Sequence, residues 1–328
     1  MKFRLFIIFL YFINCTAPII SQSYKKPVNP NASKEVKALL KYLYSLQGKK
    51  LLSGQHNYPG EFNRSSDSIR SFTGKYPAIW GCDLSNLDNG LVNEAIRHYK
   101  KGEIITLMYH QVKPFDHDSL GYAGSVKGMV TDEQWEKIIT PGTEYYNQLI
   151  YKIDQRAEVL IKLRNSKVPV LWRPYHEMNG MWFWYGNRPG KDGIQKLWIM
   201  MYDRYVNFHK LNNLIWVWNI NAPRDWKDDE AYPYELSYPG DQYVDILAAD
   251  ICKNDFKQSH HDQLLELGKG KLIALGEIGD IPSAEILKKQ TMWSWFMIWA
   301  HFPWTHKTPE QVKGIYNMDN VHTINEIK

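Results

Sequence analysis

Eight short apolar runs of strand length recur along the chain, and amphipathic segments with helical spacing lie between most of them. The runs show no polar/apolar alternation, which is typical of strands buried on both faces of a sheet. They cover residues 50–53, 78–81, 103–109, 168–173, 214–218, 243–249, 271–275 and 293–299. The helical segments cover residues 33–46, 93–101, 145–164, 194–211 and 263–267. This alternation predicts an α/β fold, a single (β/α)8 TIM barrel. An open doubly wound sheet is the alternative, but no glycine-rich phosphate loop follows any run.

The first 21 residues have the organisation of a signal peptide. Lys2 and Arg4 precede an apolar run over residues 5–13, and small residues follow as far as Ser21. The apolar run is too short to cross a bilayer as a helix, and no later segment is a better candidate, so we predict no membrane span. The protein is therefore expected to be secreted, periplasmic or held at the cell surface.

Cys15 raises the alternative of lipoprotein anchoring. The residues before it, Phe-Ile-Asn, lack the small side chains that a lipidation site prefers, which favours cleavage of the signal peptide. We then predict a short leader over residues 22–32 and one barrel domain over residues 33–328. Cys82 and Cys252 fall on predicted strands two and six, a separation that favours free thiols over a disulfide.

Aromatic residues make up 14% of the chain, with 13 Trp and 21 Tyr. Large rings are mostly core residues, but the flat C–H faces of sugars also stack on exposed rings. This content therefore raises the prospect of carbohydrate binding. The formal net charge is +5, and Lys2 and Arg4 contribute two of these charges. So small and dispersed a charge argues against a nucleic-acid partner and favours a neutral ligand.

Polar side chains follow nearly every predicted strand. The positions just past the strands hold Gln55, His56, Asp83, His110, Gln111, His176, Glu177, Asn219, Asn221, Asp250, Glu277 and His301. In a (β/α)8 barrel, the groups that bind or react gather at the carboxyl ends of the strands. We therefore expect a functional site at this end of the barrel.

The segment over residues 170–186 is the densest in such side chains. An apolar strand runs into Arg173 and ends at Pro174, since proline cannot donate to the ladder, and His176 and Glu177 follow. An Asn-Gly turn and four aromatic residues come next. A hydrophobic loop folded onto the core is the structural alternative, but so many rings beside an acid favour a binding site.

A second acid, Glu277, follows an apolar strand between Gly276 and Gly279, which permit close backbone approach. Taken alone, a glutamate at this position is equally consistent with capping a helix or pairing with an arginine. Glu177 and Glu277 end predicted strands four and seven, however, so both are expected at the same barrel mouth. Glycoside hydrolysis uses two carboxyl groups, roughly 5–5.5 Å apart in retaining enzymes. We expect Glu177 to be the proton donor and Glu277 the anion, with Arg173 as a candidate donor to it.

The stretch from Arg173 to Trp184 resembles a motif of glycoside hydrolase family 26, Arg-Pro-x-His-Glu-x-Asn-Gly-x-Trp-x-Trp, and the similarity extends from about Ser33 to the C-terminus. The family comprises retaining (β/α)8 enzymes dominated by endo-β-1,4-mannanases. The resemblance implies that Glu177 is the acid/base and Glu277 the nucleophile, acting on mannan, galactomannan or glucomannan. The predicted substrate-binding residues are His110, Arg173, His176, Trp182, Trp184, Asp250 and Trp299.

One position departs from the family pattern. Two residues after the aspartate that corresponds to Asp250, the family usually carries a tyrosine whose hydroxyl binds the nucleophile, whereas this chain has Cys252. A thiol is a far weaker donor than a phenol. We therefore expect Glu277 to lack its usual partner, unless another donor such as Tyr243 replaces it.

Other functions stay open at this point. A β-1,3-1,4-glucanase or β-xylanase of the same family would keep both glutamates, and a non-catalytic sugar-binding barrel would keep the aromatic platforms. Residues 111–143 form a long insert that is a candidate for a wall deciding exo or endo action. His176-Glu177 lack the spacing of a metal site, and no Gly-x-Ser-x-Gly is present. We predict a monomer without metal or other cofactor that binds a polysaccharide or oligosaccharide, β-mannan first.

Overall fold

The computed structural model describes residues 23–85, 89–299 and 308–327. The predicted signal peptide with Cys15, and His301 after the last barrel strand, lie outside the described residues. None of the helices within these ranges is both long and apolar enough to cross a membrane.

Eight parallel strands close into a barrel, as the apolar runs predicted. The strands in chain order are β1 (Leu51–Asn57), β2 (Ile79–Asp83), β3 (Ile104–Tyr109), β4 (Val170–Pro174), β5 (Leu214–Asn221), β6 (Arg224–Trp226), β7 (Asp229–Ala231), β8 (Ile246–Ile251), β9 (Leu272–Ile278), β10 (Trp293–Ile298) and β11 (Val321–His322). The barrel order is β1-β2-β3-β4-β5-β8-β9-β10, and β10 pairs with β1 to close it. The short β6 and β7 form an antiparallel hairpin between β5 and β8, and β11 pairs with β1.

The described helices are α1 (Lys34–Leu46), α2 (Arg64–Thr73), α3 (Asn89–Lys101), α4 (Asp132–Ile139), α5 (Glu144–Asn165), α6 (Ile194–Asp203), α7 (Gln258–Gly268), α8 (Ala284–Lys289) and α9 (Pro309–Tyr316). Helix α1 precedes the first barrel strand, and the other helices follow individual strands. Hydroxyl caps start several of them: the side chains of Ser33, Thr131 and Thr143 each accept a hydrogen bond from a backbone N–H of the first turn. Each of the five helical segments named from the sequence overlaps an observed helix, although the α-helix in segment 194–211 ends at Asp203. Helices α2, α4, α8 and α9 were not among the named segments.

Helix α1 covers the amino-terminal end of the barrel. Its apolar face, with Val36, Leu40 and Leu43, packs in one cluster with residues near the strand starts, such as Ile79 and Leu272. A second and larger cluster fills the layer between the strands and the surrounding helices. The carboxyl end of the barrel is thereby left as the open end.

Residues 23–32, which the sequence predicted as part of a leader, pack against the amino-terminal end of the barrel, where α1 also lies. The backbone N–H of Val28 donates to Asp245 Oδ1 over 2.7 Å, and the buried Asn29 donates through Nδ2 to the carbonyl oxygen of Leu211 over 2.8 Å. The Tyr24 ring meets Tyr44 of α1 edge to face. The segment is therefore a part of the packed domain.

In the described part of the chain no disulfide joins Cys82, which is buried, to Cys252, which is partly exposed, and this agrees with the prediction.

Candidate active site

A cleft of about 530 Å³ opens at the carboxyl ends of the barrel strands. It brings together seven of the nine residues predicted for the site, which lie at or just past the carboxyl ends of five strands or, for Trp182, in the loop after β4. These residues are His110, His176, Glu177, Trp182, Asp250, Glu277 and Trp299. Tyr122 and Lys127 from the long insert line the same cleft, so the insert does contribute to its wall.

Glu277 lies near the end of β9, in contact with two basic side chains. His176 Nε2 is 3.4 Å from Glu277 Oε2, and Arg173 Nη1 is 3.9 Å from Oε1. Burial alone would raise the pKa of Glu277, but the charge and hydrogen bond of His176 and the charge of Arg173 outweigh it, so the pKa is lowered. Glu277 is therefore an anion at neutral pH, in the form needed for attack on carbon.

Gly276 lets the side chains of Asn219 and Asp250 approach the strand that carries Glu277. A Cβ atom at Gly276 would lie only 2.0 Å from Asn219 Oδ1. Arg173 Nη1 donates to the Gly276 carbonyl oxygen over 2.9 Å and to Asn219 Oδ1 over 3.1 Å. The predicted close approach at this glycine is thus present in the structure.

Asp250 pairs in register with Glu277 after an irregularity in the β8–β9 ladder. Its Oδ2 accepts a 2.6 Å hydrogen bond from Asn219 Nδ2 and lies 3.6 Å from His176 Nε2. Burial and the nearby charges of Glu277 and Glu177 raise the pKa of Asp250 well above its usual range. The Asp250 carboxyl group is therefore protonated more easily than an exposed aspartate, and in its protonated form it can donate as well as accept a hydrogen bond.

Glu177 follows β4 in a left-handed backbone conformation, with φ of 54°, and Tyr175 nearby has φ of 51°. Such conformations are costly for residues with side chains and are common at functional sites. Two donors orient the Glu177 carboxylate: Trp182 Nε1 donates to Oε2 over 3.0 Å, and Asn221 Nδ2 donates to Oε1. The Trp182 ring lies against Gly180, where a Cβ atom would be 2.3 Å from the ring.

His110, at the end of β3, forms an ion pair with Asp83 at the end of β2. His110 Nδ1 lies 2.6 Å from Asp83 Oδ2, and Ser85 donates to the other carboxylate oxygen. Burial would lower the pKa of His110, but Asp83 more than reverses this, so the pKa is raised. The imidazole stands edge to face with His176 and Phe183 in the cleft. Asp83 therefore fixes the ring through Nδ1.

Two predicted substrate contacts need correction. Trp184 is fully buried and donates through Nε1 to the Gln111 carbonyl oxygen over 2.6 Å, so its ring supports the loop from below. Arg173 is also fully buried, and it acts on Glu277 from beneath the cleft floor. Neither side chain lines the cleft.

Cys252 does not replace the tyrosine of the family pattern. Its Sγ lies 3.6 Å from Asn221 Oδ1 and 3.6 Å from Arg224 Nη1, and burial raises the pKa of the thiol to about 12. Among the described residues, Glu277 Oε1 has no hydrogen-bond partner, as the Cys252 position led us to expect. Tyr243 cannot supply one, because it precedes β8 at the opposite end of the barrel and packs on Tyr202.

His176, Glu177 and Asp250 form the group in the described part of the chain that has the geometry for a metal ion. Their potential ligand atoms lie within 4.8 Å of one another. Both Glu177 oxygens already accept hydrogen bonds from Trp182 and Asn221, however, which suits an oriented catalytic carboxylate.

The sequence analysis missed the supporting residues of the site. Asn219 and Asn221 were noted only as polar strand ends, and nothing in their spacing indicates that they contact Asp250 and Glu177. Arg224 and Trp226 lie on the β6–β7 hairpin and also line the cleft. The hairpin carries no apolar run that would have marked it as structure.

A closed parallel barrel with two glutamates at its strand ends, in a cleft lined by aromatic rings, is the arrangement of the (β/α)8 glycoside hydrolases. The sequence profile of Glycosyl hydrolase family 26 matches residues 28–326, and the chain belongs to this family. The resemblance noted in the sequence is thereby confirmed.

Relatives with established names support the same assignment. The chain is 36% identical to a mannan endo-1,4-beta-mannosidase of Thermothelomyces thermophilus over 92% of its own length and 63% of that protein. It is 32% identical to one of Bacillus subtilis, covering 84% of this chain and 79% of the relative. The chain spans only 52% and 56% of two Piromyces mannosidases, so several relatives are much longer.

Solved structures agree with the fold. GH26A from a Muricauda species superposes with a TM-score of 0.89 at 48% identity, over 92% of this chain and 99% of the other. The Podospora anserina GH26-CBM35 beta-(1,4)-mannanase superposes with a TM-score of 0.80 at 33% identity, over 95% of this chain and 70% of the other.

Proposed function

We propose that the protein hydrolyses β-1,4-mannosidic linkages in mannan, galactomannan or glucomannan, with retention of configuration. The observation that carries the proposal is the pair of glutamates in one cleft with different surroundings. Glu277 is held as an anion by His176 and Arg173, and Glu177 is oriented by two N–H donors. The names of the relatives from Thermothelomyces and Bacillus support mannan as the polymer.

In the first step, a Glu277 oxygen attacks the anomeric carbon while Glu177 gives its proton to the departing glycosidic oxygen. The carbon–oxygen bond to the leaving sugar breaks as the bond to Glu277 forms. The donors Trp182 Nε1 and Asn221 Nδ2 hold the Glu177 carboxyl group toward that oxygen.

In the second step, Glu177, now a carboxylate, removes a proton from water as the water attacks the anomeric carbon. The bond to Glu277 breaks, and the sugar leaves with its original configuration after two inversions. His176 and Asp250, which line the cleft beside Glu277, are placed to contact hydroxyl groups of the sugar. The partly exposed rings of Trp182 and Trp299 supply surfaces on which sugar faces can stack.

The proposal is tested by comparing the rates at which the protein hydrolyses different polysaccharides. Purified protein is incubated with β-mannan, galactomannan, xylan, mixed-linkage β-glucan and cellulose, and product sizes are resolved over time. We expect β-mannans to be cleaved at least about tenfold faster than the others, since specificity pockets commonly discriminate by this factor or more. Early long products would indicate endo action, and one disaccharide from the start would indicate exo action. Faster cleavage of xylan or β-glucan, or no cleavage of any polymer, would overturn the proposal.

The predicted signal peptide over residues 1–21 fits such a role, because polysaccharides are met outside the cytoplasm. We therefore include export in the proposal, with cleavage near Ser21 preferred to lipid attachment at Cys15.

The acidic limb of the pH profile is expected to depend on His176. Removing the imidazole in His176→Gln takes away the neighbour that most lowers the pKa of Glu277, so Glu277 becomes protonated at higher pH. The acidic limb of kcat/KM should move upward by about 1 pH unit, the usual effect of a nearby opposite charge. The exposed His117→Gln serves as a control. An unchanged limb in His176→Gln would contradict the assigned electrostatics.

A further inference from the structure

The β6–β7 hairpin is docked on the loop that carries Glu177. Gly180 forms an isolated bridge with Ala231. The N–H of Met181 donates to the Glu230 carbonyl oxygen, and that of Tyr232 donates to the Asn179 carbonyl oxygen. The position of the hairpin is therefore tied to the segment between Glu177 and Trp182.

Arg224, the first residue of the hairpin, is almost fully buried, with 4% of its side chain exposed. Its guanidinium is held by Asp229 across the hairpin: Nη2 lies 2.9 Å from Oδ1, and Nε lies 3.1 Å from Oδ2. This two-point geometry fixes the plane of the guanidinium. Arg224 is therefore a rigid side chain beside the Glu177 loop.

Both donors to Glu177 are in contact with this guanidinium. Arg224 Nη1 donates to Asn221 Oδ1, and the Arg224 Cζ lies 4.9 Å from the centre of the Trp182 ring. An arginine has hydrogen-bond donors only. It can therefore bond to the oxygen of the Asn221 amide but not to its nitrogen. Asn221 must then present its Nδ2 to Glu177 Oε1. The cation–π contact likewise limits tilting of the Trp182 ring.

We propose that Arg224, held by Asp229, is a positioning residue for the acid/base: it fixes the orientation of the Asn221 amide and the Trp182 ring, and through them the Glu177 carboxyl group. The proposal rests on the proposed function. Without the guanidinium, the Asn221 Oδ1 keeps only the Cys252 thiol, a weak donor, so the amide is held less firmly and Glu177 loses its fixed direction. The loss should appear in proton donation to the leaving group and should spare attack by Glu277.

The experiment compares kcat/KM, which reports the first chemical step, on two substrates of the same sugar length. One is a β-mannooligosaccharide, whose sugar leaving group needs a proton, and the other is the 2,4-dinitrophenyl β-mannobioside or longer homologue, whose leaving group does not. For Arg224→Met we expect a loss of about 10- to 100-fold on the first, a part of what general acid catalysis contributes. On the dinitrophenyl substrate we expect kcat/KM to fall by less than about threefold.

Lys227→Met removes a cation from the exposed tip of the same hairpin and is the matched control, with both rates unchanged. Arg224→Lys keeps a cation that can only donate hydrogen bonds, so its kcat/KM on the mannooligosaccharide is expected to be close to that of the wild type. This variant also allows the test to be made if Arg224→Met does not fold. Equal losses on both substrates for the folded Arg224 variants would mean a structural role only and would overturn the inference. A wild-type protein that cleaves neither substrate would instead overturn the proposed function.

Discussion

Glu277→Ala should lower kcat on β-mannan by about 10⁴-fold or more, the scale seen when a catalytic nucleophile is removed from an enzyme. The reason lies in the setting of Glu277. His176 and Arg173 keep it anionic, and it ends β9 beside Gly276, where the backbone is close to Asn219. Alanine removes the atom that bonds to the anomeric carbon and leaves the fold of the strand intact. Reducing-sugar release from β-mannan measures the loss.

Added azide gives this prediction a stereochemical readout. In Glu277→Ala, azide would enter the space left by the carboxylate and attack the substrate directly, and a single displacement inverts the anomeric carbon. The expected product from an activated β-mannoside is therefore the α-mannosyl azide, identified by NMR. Glu285→Ala, an exposed acid on the following helix, is the matched control with full activity. A Glu277→Ala protein that retains wild-type hydrolysis would show that Glu277 is not the nucleophile.

The barrel was accessible from sequence because buried parallel strands have no polar face. Residues such as those of β5 are buried at every position, so the apolar runs stand out without any alternation to interpret. Helix α2 was missed for the opposite reason: its buried residues include Ser65 and Ser66 with only Ile69 as a large apolar side chain. Such a helix has no apolar stripe to recognise.

The two glutamates were also accessible, because strand ends share one edge of a closed barrel. What the sequence could not distinguish was which ring of a loop faces the cleft. Trp182 and Trp184 are two residues apart in an aromatic segment, yet one orients Glu177 and the other is buried under Gln111. The difference depends on the turn at Gly180, whose geometry no periodicity encodes.

The contacts that support the site depend on still longer separations. Asp250 stands opposite Glu277 because of a register shift in the β8–β9 ladder, and a shift of this kind leaves no mark in composition. Arg224 reaches Trp182 from a hairpin that is 42 residues away in sequence. Side chains brought together from such distances become visible only once the barrel and its loops are assembled.

The effect of Glu177→Ala on kcat/KM is expected to depend on whether the leaving group of the substrate needs a proton. On β-mannooligosaccharides, kcat/KM should fall by about 10²- to 10⁴-fold, the contribution of a positioned general acid. On the 2,4-dinitrophenyl glycoside the fall in kcat/KM should be small, because that leaving group departs without a proton and Glu277 is still present to attack. The intermediate then waits for a base that the variant lacks, so a burst of dinitrophenol followed by a slow phase is the expected time course.

Added azide distinguishes the role of Glu177 from that of Glu277, because the two variants are expected to give azide products of opposite anomeric configuration. In Glu177→Ala, azide attacks the mannosyl–Glu277 intermediate, which is a second inversion, and the product is the β-mannosyl azide. Azide needs no base to activate it, so the slow phase should become faster as its concentration rises. Glu230→Ala, on the neighbouring hairpin and not in contact with the Glu177 carboxylate, should show neither burst nor azide product. An α-azide from Glu177→Ala would mean that Glu177, and not Glu277, is the nucleophile. Equal losses of kcat/KM on both substrates would mean that Glu177 is not the proton donor. The β-azide from one variant and the α-azide from the other can arise together only if the two carboxyl groups act on opposite sides of the same anomeric carbon.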